Sequence, residues 1–226
     1  MKKICFLLLF SLLIISVIYA SDYYSIGFGG DFGFVFTNFT SNLPNSINNI
    51  IEDEIKKIFW GRGGFWFYLD LIYLKLNTGG KYYVIFDIAG IDYKETQSYL
   101  NMGIMGKYPF TLNNNISIFP FLGFDWQVFA IVEMSDGDSS YTIGRYKLPL
   151  YNIERNYFDR FVFNFGCGVD FNVSRLIYIR TMFKYGINLN TKTQRDMVDL
   201  LNDLGYEFNI LNHGPSIKIG IGLNLL

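Results

Sequence analysis

The sequence YSIGFGGDFGFVF occupies residues 24–36 of the chain. Its even-numbered positions are aromatic or aliphatic apart from Gly30, and its odd-numbered positions are small or polar apart from Val35. Successive side chains of a β-strand point to opposite faces. This period of two therefore predicts a strand with one apolar face and one small, polar face.

The same alternation recurs along the chain. It is clear at residues 116–130, 160–173, 176–189 and 215–226, and weaker at 65–76, 81–92 and 98–110. With 24–36 these stretches make eight predicted strands, an even number as an antiparallel up-and-down barrel requires. A strand of about 13 residues, rising ~3.3 Å per residue and tilted by ~45°, gains about 30 Å and can cross the apolar core of a bilayer.

The composition supports a membrane environment. The chain has 226 residues, of which 50% are hydrophobic and 17% are charged, and its net charge is −1. Soluble domains carry about 25% charged residues. The apolar content excludes a disordered chain, and the lack of a basic excess argues against nucleic-acid binding. One histidine and two cysteines predict no metal site, no cofactor site and no disulfide framework.

The first twenty residues have the pattern of a secretory signal peptide. Lys2 and Lys3 precede an apolar stretch at 4–18, and Ala20 is a small residue at a suitable cleavage position. The apolar stretch is shorter than the ~20 residues of a spanning helix. The sequence therefore predicts a signal peptide at 1–20 and one barrel domain at 21–226.

The predicted connections alternate in length. Short connections are expected at residues 77–80, 93–97, 111–115 and 174–175, and long ones at 37–63, 132–159 and 190–214. If the first strand rises, the three long segments lie together at one end of the barrel, as in outer-membrane barrels with short periplasmic turns and long external loops. Both ends of the chain are then expected at the opposite end.

Two of the long connections contain helical apolar spacing. One stripe lies within 46–58, and the other consists of Met197, Leu200, Leu201 and Leu204, with Thr193 as the expected cap and Gly205 as the stop. The favoured interpretation is that each helix packs on the barrel rim through this stripe. The alternative is a helix that lies on the membrane surface or docks a partner.

The apolar faces are assigned to lipid, because the opposite faces are rich in Gly, Asn, Ser and Asp and suit the narrow inside of an eight-stranded barrel. A secreted lipocalin-like barrel would reverse this assignment. The charged residues expected inside are Asp31, Asp70, Asp87, Asp125, Arg160, Asp170, Arg180, Lys184 and Lys218. They are near balance in charge and are expected to pair in a structural network, since an isolated buried charge is costly. A polar conduit or active site is the functional alternative.

These features resemble those of the small outer-membrane β-barrel proteins of diderm bacteria, of the OmpA-domain and OmpX-like type. The resemblance covers residues 21–226 and rests on the amino-terminal segment, the alternating strands, the loop asymmetry and the final strand. It implies an all-β barrel in the outer membrane that contacts outer-membrane lipid. It also implies that the barrel-assembly machinery reads the last strand, although Leu226 stands where family members usually end in an aromatic residue.

Barrels of this type occasionally modify lipid A with a histidine beside a serine or aspartate. The single histidine, His213, lies three residues from Ser216, but a nucleophile and its base must meet in space. The sequence therefore favours a structural or adhesin-like protein without enzymatic activity, which meets host or envelope partners through its long external loops. A small pore or a lipid A-modifying enzyme is the alternative, and a secreted ligand-binding barrel is the third.

Overall fold

The computed structural model describes residues 24–46, 48–49, 59–88, 91–135, 140–144, 159–189 and 191–225. Within these ranges the chain forms ten strands and one capped helix. The strands are β1 (Tyr24–Ser41), β2 (Phe59–Leu71), β3 (Leu74–Ile88), β4 (Ile91–Lys107), β5 (Phe110–Asn113), β6 (Ile116–Ser135), β7 (Ser140–Gly144), β8 (Arg160–Asn172), β9 (Ile177–Leu189) and β10 (Phe208–Leu225). The helix α1 spans Lys192–Asp203.

Eight long strands close into an antiparallel barrel. The hydrogen-bonded order runs β1-β2-β3-β4-β6-β8-β9-β10, and β10 pairs back onto β1. The short strands β5 and β7 pair with the two ends of β6. Closure leaves no open edge around the wall, which a strand structure needs in lipid. The predicted eight-stranded all-β barrel is confirmed.

The turn between β2 and β3 is not where the sequence predicted it. Ile72 and Tyr73 form the turn, whereas Gly79 and Gly80 lie in the middle of β3 opposite Trp66 and Phe65. A Cβ on Gly80 would overlap the Phe65 ring, and a Cβ on Gly79 would overlap the backbone of β2. Glycine within a strand marks such close approaches as well as turns, so the prediction of a turn at 77–80 is wrong.

Three other connections also differ from the sequence-based expectation. Residues 93–97 belong to β4, and the β3–β4 ladder runs up to the pair Ile88 and Ile91. Residues 111–113 belong to β5, and the predicted loop at 190–214 contains both α1 and the beginning of β10. The short turn around 174–175 is as predicted, and Tyr24 pairs with Leu225, so the two ends of the barrel wall share one rim.

The outside of the barrel carries an apolar belt. On β1 the side chains of Ile26, Phe28, Phe32, Phe34 and Phe36 are between 42% and 60% exposed, whereas Asp31 between them is 2% exposed. The belt continues around the barrel through Phe65, Phe67, Leu122, Phe124, Trp126, Phe183, Ile217, Ile219 and Ile221. A contiguous apolar surface of this extent marks contact with lipid, so the assignment of the apolar faces to lipid is confirmed. No helix among the described residues has the length and apolar character needed to span a membrane.

Glycines make room for aromatic rings that lie directly across the ladder. In each pair a Cβ on the glycine would overlap the opposing ring. The pairs are Gly27 with Tyr68, Gly63 with Tyr82, Gly80 with Phe65, Gly168 with Phe119, and Gly222 with Tyr178. The small residues of the sequence pattern therefore seat rings on both faces of the wall.

Helix α1 is fixed at both of its ends. Thr191 caps its first turn in a reciprocal capping box with Gln194, so the predicted cap at Thr193 is wrong by two residues. Gly205 ends the helix with a φ of 86°, a conformation that glycine adopts without strain. In the other predicted helical stretch, residues 45–46 and 48–49 are helical and the remainder lies outside the described residues, as does the predicted signal peptide.

From this belt we expect a charged side chain on β1 to lower the free energy of unfolding more in the middle of the membrane than at the outer end of the strand. Phe32→Arg, at the middle of the belt on β1, is expected to lower the free energy of unfolding by about 2–4 kcal/mol, because a lipid-facing arginine near the midplane is desolvated. Thr40→Arg, on the same face beyond the belt, is the control and is expected to cost ~0–1 kcal/mol. Denaturant unfolding of each refolded variant in lipid vesicles measures both values. Equal costs would contradict the lipid assignment.

Candidate functional site

The interior holds a central cluster formed by Asp31, Asp125, Lys81, Lys184 and Lys218. Lys184 Nζ lies 3.1 Å from Asp125 Oδ2, and Lys81 Nζ lies 3.4 Å from the same atom. Asp31 Oδ2 lies 3.5 Å from Lys81, 3.9 Å from Lys184 and 3.8 Å from Lys218. Five different strands supply these side chains, so the cluster ties opposite walls of the barrel together.

A second set of ion pairs, the inner cluster, lies near the rim that carries the short turns. Arg180 donates from Nε and Nη2 to the two carboxylate oxygens of Asp170, each at 2.6 Å. Its Nη1 lies 2.5 Å from Asp70 Oδ2, which also accepts from Lys107 Nζ at 2.9 Å. A bidentate arginine–carboxylate pair is both strong and specific in geometry, so this cluster fixes β2, β4, β8 and β9 relative to one another.

Lys75 is buried without a carboxylate within 4.0 Å among the described side chains, and aromatic rings surround it instead. Its Nζ lies 3.9 Å from the centroid of the Trp66 ring and 4.8 Å from that of Tyr68. It also lies 3.1 Å from the sulfur of Met182. The negative face of an aromatic ring attracts a cation, and the attraction increases where water is excluded. Ring contacts therefore take the place of an ion pair at Lys75.

A further set of contacts, the outer layer, lies toward the rim with the long connections. Arg160 Nη2 donates to Gln97 Oε1 at 2.6 Å, and its guanidinium carbon lies 4.6 Å from the centroid of the Tyr83 ring. Tyr83 in turn donates to Gln127 Oε1 at 2.6 Å. Phe129 packs against Tyr99 edge-on at 5.7 Å. This outer layer combines polar contacts with aromatic packing.

An aromatic layer in the lumen packs against both ion-pair clusters, with Arg180 over the Phe119 ring and Lys218 over the Trp66 ring. Its side chains are at most 5% exposed, and they are Trp66, Tyr68, Met105, Phe119, Phe121, Tyr178 and Met182. On the inner side of this layer a cavity of about 960 Å³ opens at the short-turn rim, where Asp70, Asp170 and Arg180 line it. Tyr178 of the aromatic layer also lines this cavity, so buried rings lie directly at its inner boundary.

The structure brings together most of the charged residues singled out in the sequence. Asp31, Asp125, Lys184 and Lys218 meet in the central cluster, whereas Asp70, Asp170 and Arg180 meet in the inner cluster. Arg160 stands apart in the outer layer. The side chain of Asp87 lies outside the described residues.

Four interior cations were missing from the sequence-based set, namely Arg62, Lys75, Lys81 and Lys107. Lys75 and Lys81 flank the misplaced turn at 77–80, so a continuous β3 would have placed both on the inward face with Asn77. Among the described residues that are buried, three aspartates face seven lysines and arginines. The expected near balance of charge is therefore wrong, and the buried interior is rich in cations.

Side-chain contacts reinforce the seam that closes the barrel. The β1–β10 ladder is interrupted at Gly214 and Pro215, which lie between the pairs Gly33–Ser216 and Phe36–His213. Pro215 has no N–H to donate to the ladder. From inside, Arg62 Nη2 donates to the carbonyl of Gly214 at 3.2 Å. Farther out, Thr37 donates to Asn212 at 2.6 Å across the same two strands.

His213 and Ser216 point to opposite faces of β10. Ser216 is buried inside with an exposure of 3%, whereas His213 lies on the outer face with Phe36, Asn38 and Tyr185. His213 Nδ1 bonds to the Tyr185 hydroxyl, and Asn38 Nδ2 lies 2.9 Å from its Nε2. Both ring nitrogens thus have structural partners, and the histidine cannot serve as the base for Ser216.

A closed eight-stranded wall, an apolar outer belt and a packed polar interior define a small β-barrel of the outer-membrane type. No family model matches the chain, and no curated protein matches it. Several solved structures are similar to it. Neisserial surface protein A is 9% identical, with 90% of this chain and 99% of that chain covered and a TM-score of 0.47.

Two further structures belong to the same group. The attachment invasion locus protein Ail of Yersinia pestis is 10% identical, with 90% of this chain and 98% of that chain covered and a TM-score of 0.38. The outer membrane protein OprG of Pseudomonas aeruginosa is 12% identical, with 89% of this chain and 95% of that chain covered and a TM-score of 0.41. The fold of the present chain follows from its own closed ladder and belt.

The cation excess predicts unequal effects of removing the two partners of one central ion pair. Asp125→Asn is expected to lower the free energy of unfolding by about 3–5 kcal/mol, because Lys81 and Lys184 then lose their shared carboxylate. Lys184→Met should cost much less, since Asp125 keeps Lys81, and adding it to Asp125→Asn should recover part of the loss. Denaturant unfolding in lipid vesicles measures all three variants. Equal and additive losses would contradict the cluster.

Proposed function

We propose that this protein is an integral outer-membrane barrel without enzymatic activity, which acts by contacting partners at the cell surface. The filled lumen is the observation that carries the proposal. The inner cluster, the aromatic layer, the central cluster and the outer layer fill the barrel, so the wall and its interior form a rigid support. Function then falls to the segments that the support displays, as is usual for loops on a rigid scaffold.

The outer end of the barrel is the larger of its two ends. Beyond the belt on β1, the strand continues to Ser41, where it pairs with Phe208. β6 continues to Ser135 and forms a ladder with β7. The helix α1 lies in the connection from β9 to β10. At the other end, β2 and β3 are joined by only two residues. This asymmetry supports an external, partner-facing role for the end that carries the long connections.

Export and assembly complete the proposal. The segment 1–20 would direct the chain across the inner membrane and be removed near Ala20. The barrel-assembly machinery would then read β10, whose outward side chains Ile217, Ile219, Ile221 and Leu223 form an apolar row. Outer-membrane lipid would cover this row and the remainder of the belt.

Surface contact predicts that trimming the outer end abolishes binding and leaves the barrel intact. Cells of a diderm host that display the chain should adhere to a test surface of cultured epithelial cells. Replacing residues 192–203 and 136–139 by short Gly-Ser linkers should remove that adhesion. The control shortens the opposite end at 111–114. Boiling-dependent gel mobility shows that each barrel is folded, and unaltered adhesion of the outer-end variant would reject the proposal.

The pore alternative makes a different prediction about the same barrel. Because buried rings close the lumen on the inner side of the central cluster, the purified protein should give no single-channel steps in a planar lipid bilayer. Replacing Phe119 and Tyr178 by alanine should open the aromatic layer and serve as the positive control for insertion. Regular conductance steps from the unaltered protein would favour the pore.

The enzyme alternative predicts a chemical change in the lipid. Lipid A isolated from cells that display the chain should have the same mass spectrum as lipid A from cells that display the His213→Ala variant and from cells without the chain. The reason is that Ser216 and His213 lie on opposite faces of β10. A mass shift that requires His213 would establish a lipid-modifying activity.

A further inference from the structure

Leu200 of α1 and Leu204, which directly follows the helix, face away from the barrel. Leu200 and Leu204 are 60% and 65% exposed, although they lie one helical turn apart on the apolar stripe that the sequence singled out. The helix instead meets the barrel through Val198 and Asn202, which border a cleft with Thr40 and Phe208. The expectation that the whole stripe packs on the rim is therefore wrong, because the stripe is turned partly outward.

Acidic side chains border the two leucines. Asp196, Asp199 and Asp203 are all exposed on α1, and Glu207 follows just beyond the helix. At 100° per residue, Asp196 and Asp203 project within about one quarter-turn of Leu200. Arg195 is also exposed on α1 and projects about 140° from Leu200. The acidic side chains therefore lie along one edge of the two leucines, and we call this surface the leucine–aspartate face.

Capping contacts at both ends of α1 fix the conformation of this face. The capping box of Thr191 and Gln194 fixes the first turn of α1. At the other end, Tyr206 N donates to Leu201 O at 3.0 Å, and Phe208 N donates to the side chain of Asn202 at 3.3 Å. A surface that is already ordered loses little conformational entropy when it binds, so even a small contact area can support specific binding.

Lipid is the wrong occupant for this face. Helices that lie on membranes carry Lys and Arg on their polar side, which attract anionic headgroups. The polar border of Leu200 and Leu204 is acidic instead. Moreover, α1 joins β10 at Phe208, which pairs with Ser41, five residues beyond the last apolar belt residue Phe36 on β1. The helix therefore ends above the belt rather than within it.

We propose that the leucine–aspartate face is a docking surface for an external protein that offers an apolar cleft bordered by lysine or arginine side chains. An amphipathic helix that inserts residues i and i+4 into an apolar groove is a common mode of recognition. Basic groups around the groove complement Asp196, Asp199 and Asp203. This inference rests on the proposed surface-contact function and names the part of the outer end that makes the contact.

A random linear peptide library displayed on phage is the probe for the chemistry of this face. Selection uses the full barrel refolded in detergent. We expect the selected peptides to combine apolar residues with Lys or Arg. They should bind the Leu200→Ser/Leu204→Ser variant about tenfold or more weakly, because the two anchors are lost. Asp199→Lys should also weaken binding, by charge repulsion.

Leu112→Ser is the matched control, because Leu112 is a similarly exposed leucine (62%) at the opposite end of the barrel. Its affinity for the peptides should equal that of the unaltered protein. Peptides that lack basic residues, or that bind the double variant as tightly as the unaltered barrel, would overturn the proposal. The substituted residues Leu200, Leu204, Asp199 and Leu112 are all exposed. The mobility shift on boiling verifies that each variant is folded.

A spin label decides between lipid and protein as the occupant. The label is placed by Leu200→Cys in a Cys167→Ser background, with the protein in vesicles of phosphatidylcholine and phosphatidylglycerol. We expect a water-soluble nickel complex to increase the relaxation rate of the spin label. A larger increase with oxygen would mean that the label is buried in lipid and would overturn the inference. If adhesion of cells persists in Leu200→Ser/Leu204→Ser but is lost on trimming 136–139, the proposed function stands and this inference fails. Peptide binding without cell adhesion would support the docking surface and reject the proposed function.

Discussion

Lipid offers no hydrogen-bond partners to a polypeptide backbone, and every other feature of this structure depends on that constraint. Each unpaired N–H or C=O within the hydrocarbon costs several kcal/mol. Strands can meet this requirement only by closing, so the pairing of β1 with β10 is the central contact of the fold. Pro215 weakens that seam because it has no N–H. Arg62, which donates to Gly214 from inside, and Thr37, which donates to Asn212, supply side-chain bonds at the same place.

Closure with eight strands determines what the interior can be. Such a barrel has a lumen just wide enough to be filled by side chains, and here it contains ion pairs, amides and aromatic rings. Because buried cations outnumber buried carboxylates among the described residues, several cations share one carboxylate, as three lysines do around Asp31. Lys75 shows how the barrel accommodates this excess, since Trp66 and Tyr68 present their ring faces to its ammonium group. The glycines opposite the rings provide the space they need.

Period two in the sequence was sufficient to predict the fold class, the strand number and the outward faces, because one buried face fixes the register of a strand. The same pattern was not sufficient to locate the β2–β3 turn. Asn77, Gly79 and Gly80 are ordinary turn residues, yet they lie inside β3. Gly80 leaves room there for the Phe65 ring, and Gly79 for the backbone of β2. Ile72 and Tyr73, which do form the turn, carry no turn signal. The orientation of α1 was also unpredictable, since an apolar stripe gives no direction until the contacts of Val198 and Asn202 are known.

A filled, closed barrel cannot adapt its interior to a partner, but it can hold outer segments still. Helix α1 connects β9 to β10. β9 pairs with β8 and β10 along its length, and β10 pairs with β9 over residues 212–223 and with β1 except at Gly214 and Pro215. The central and inner clusters then fix those two strands to β1, β2 and β4 across the lumen. The interior charge network therefore contributes to function indirectly. It gives the leucines and aspartates of α1 a fixed position relative to the membrane, which a free helix of twelve residues could not maintain in water.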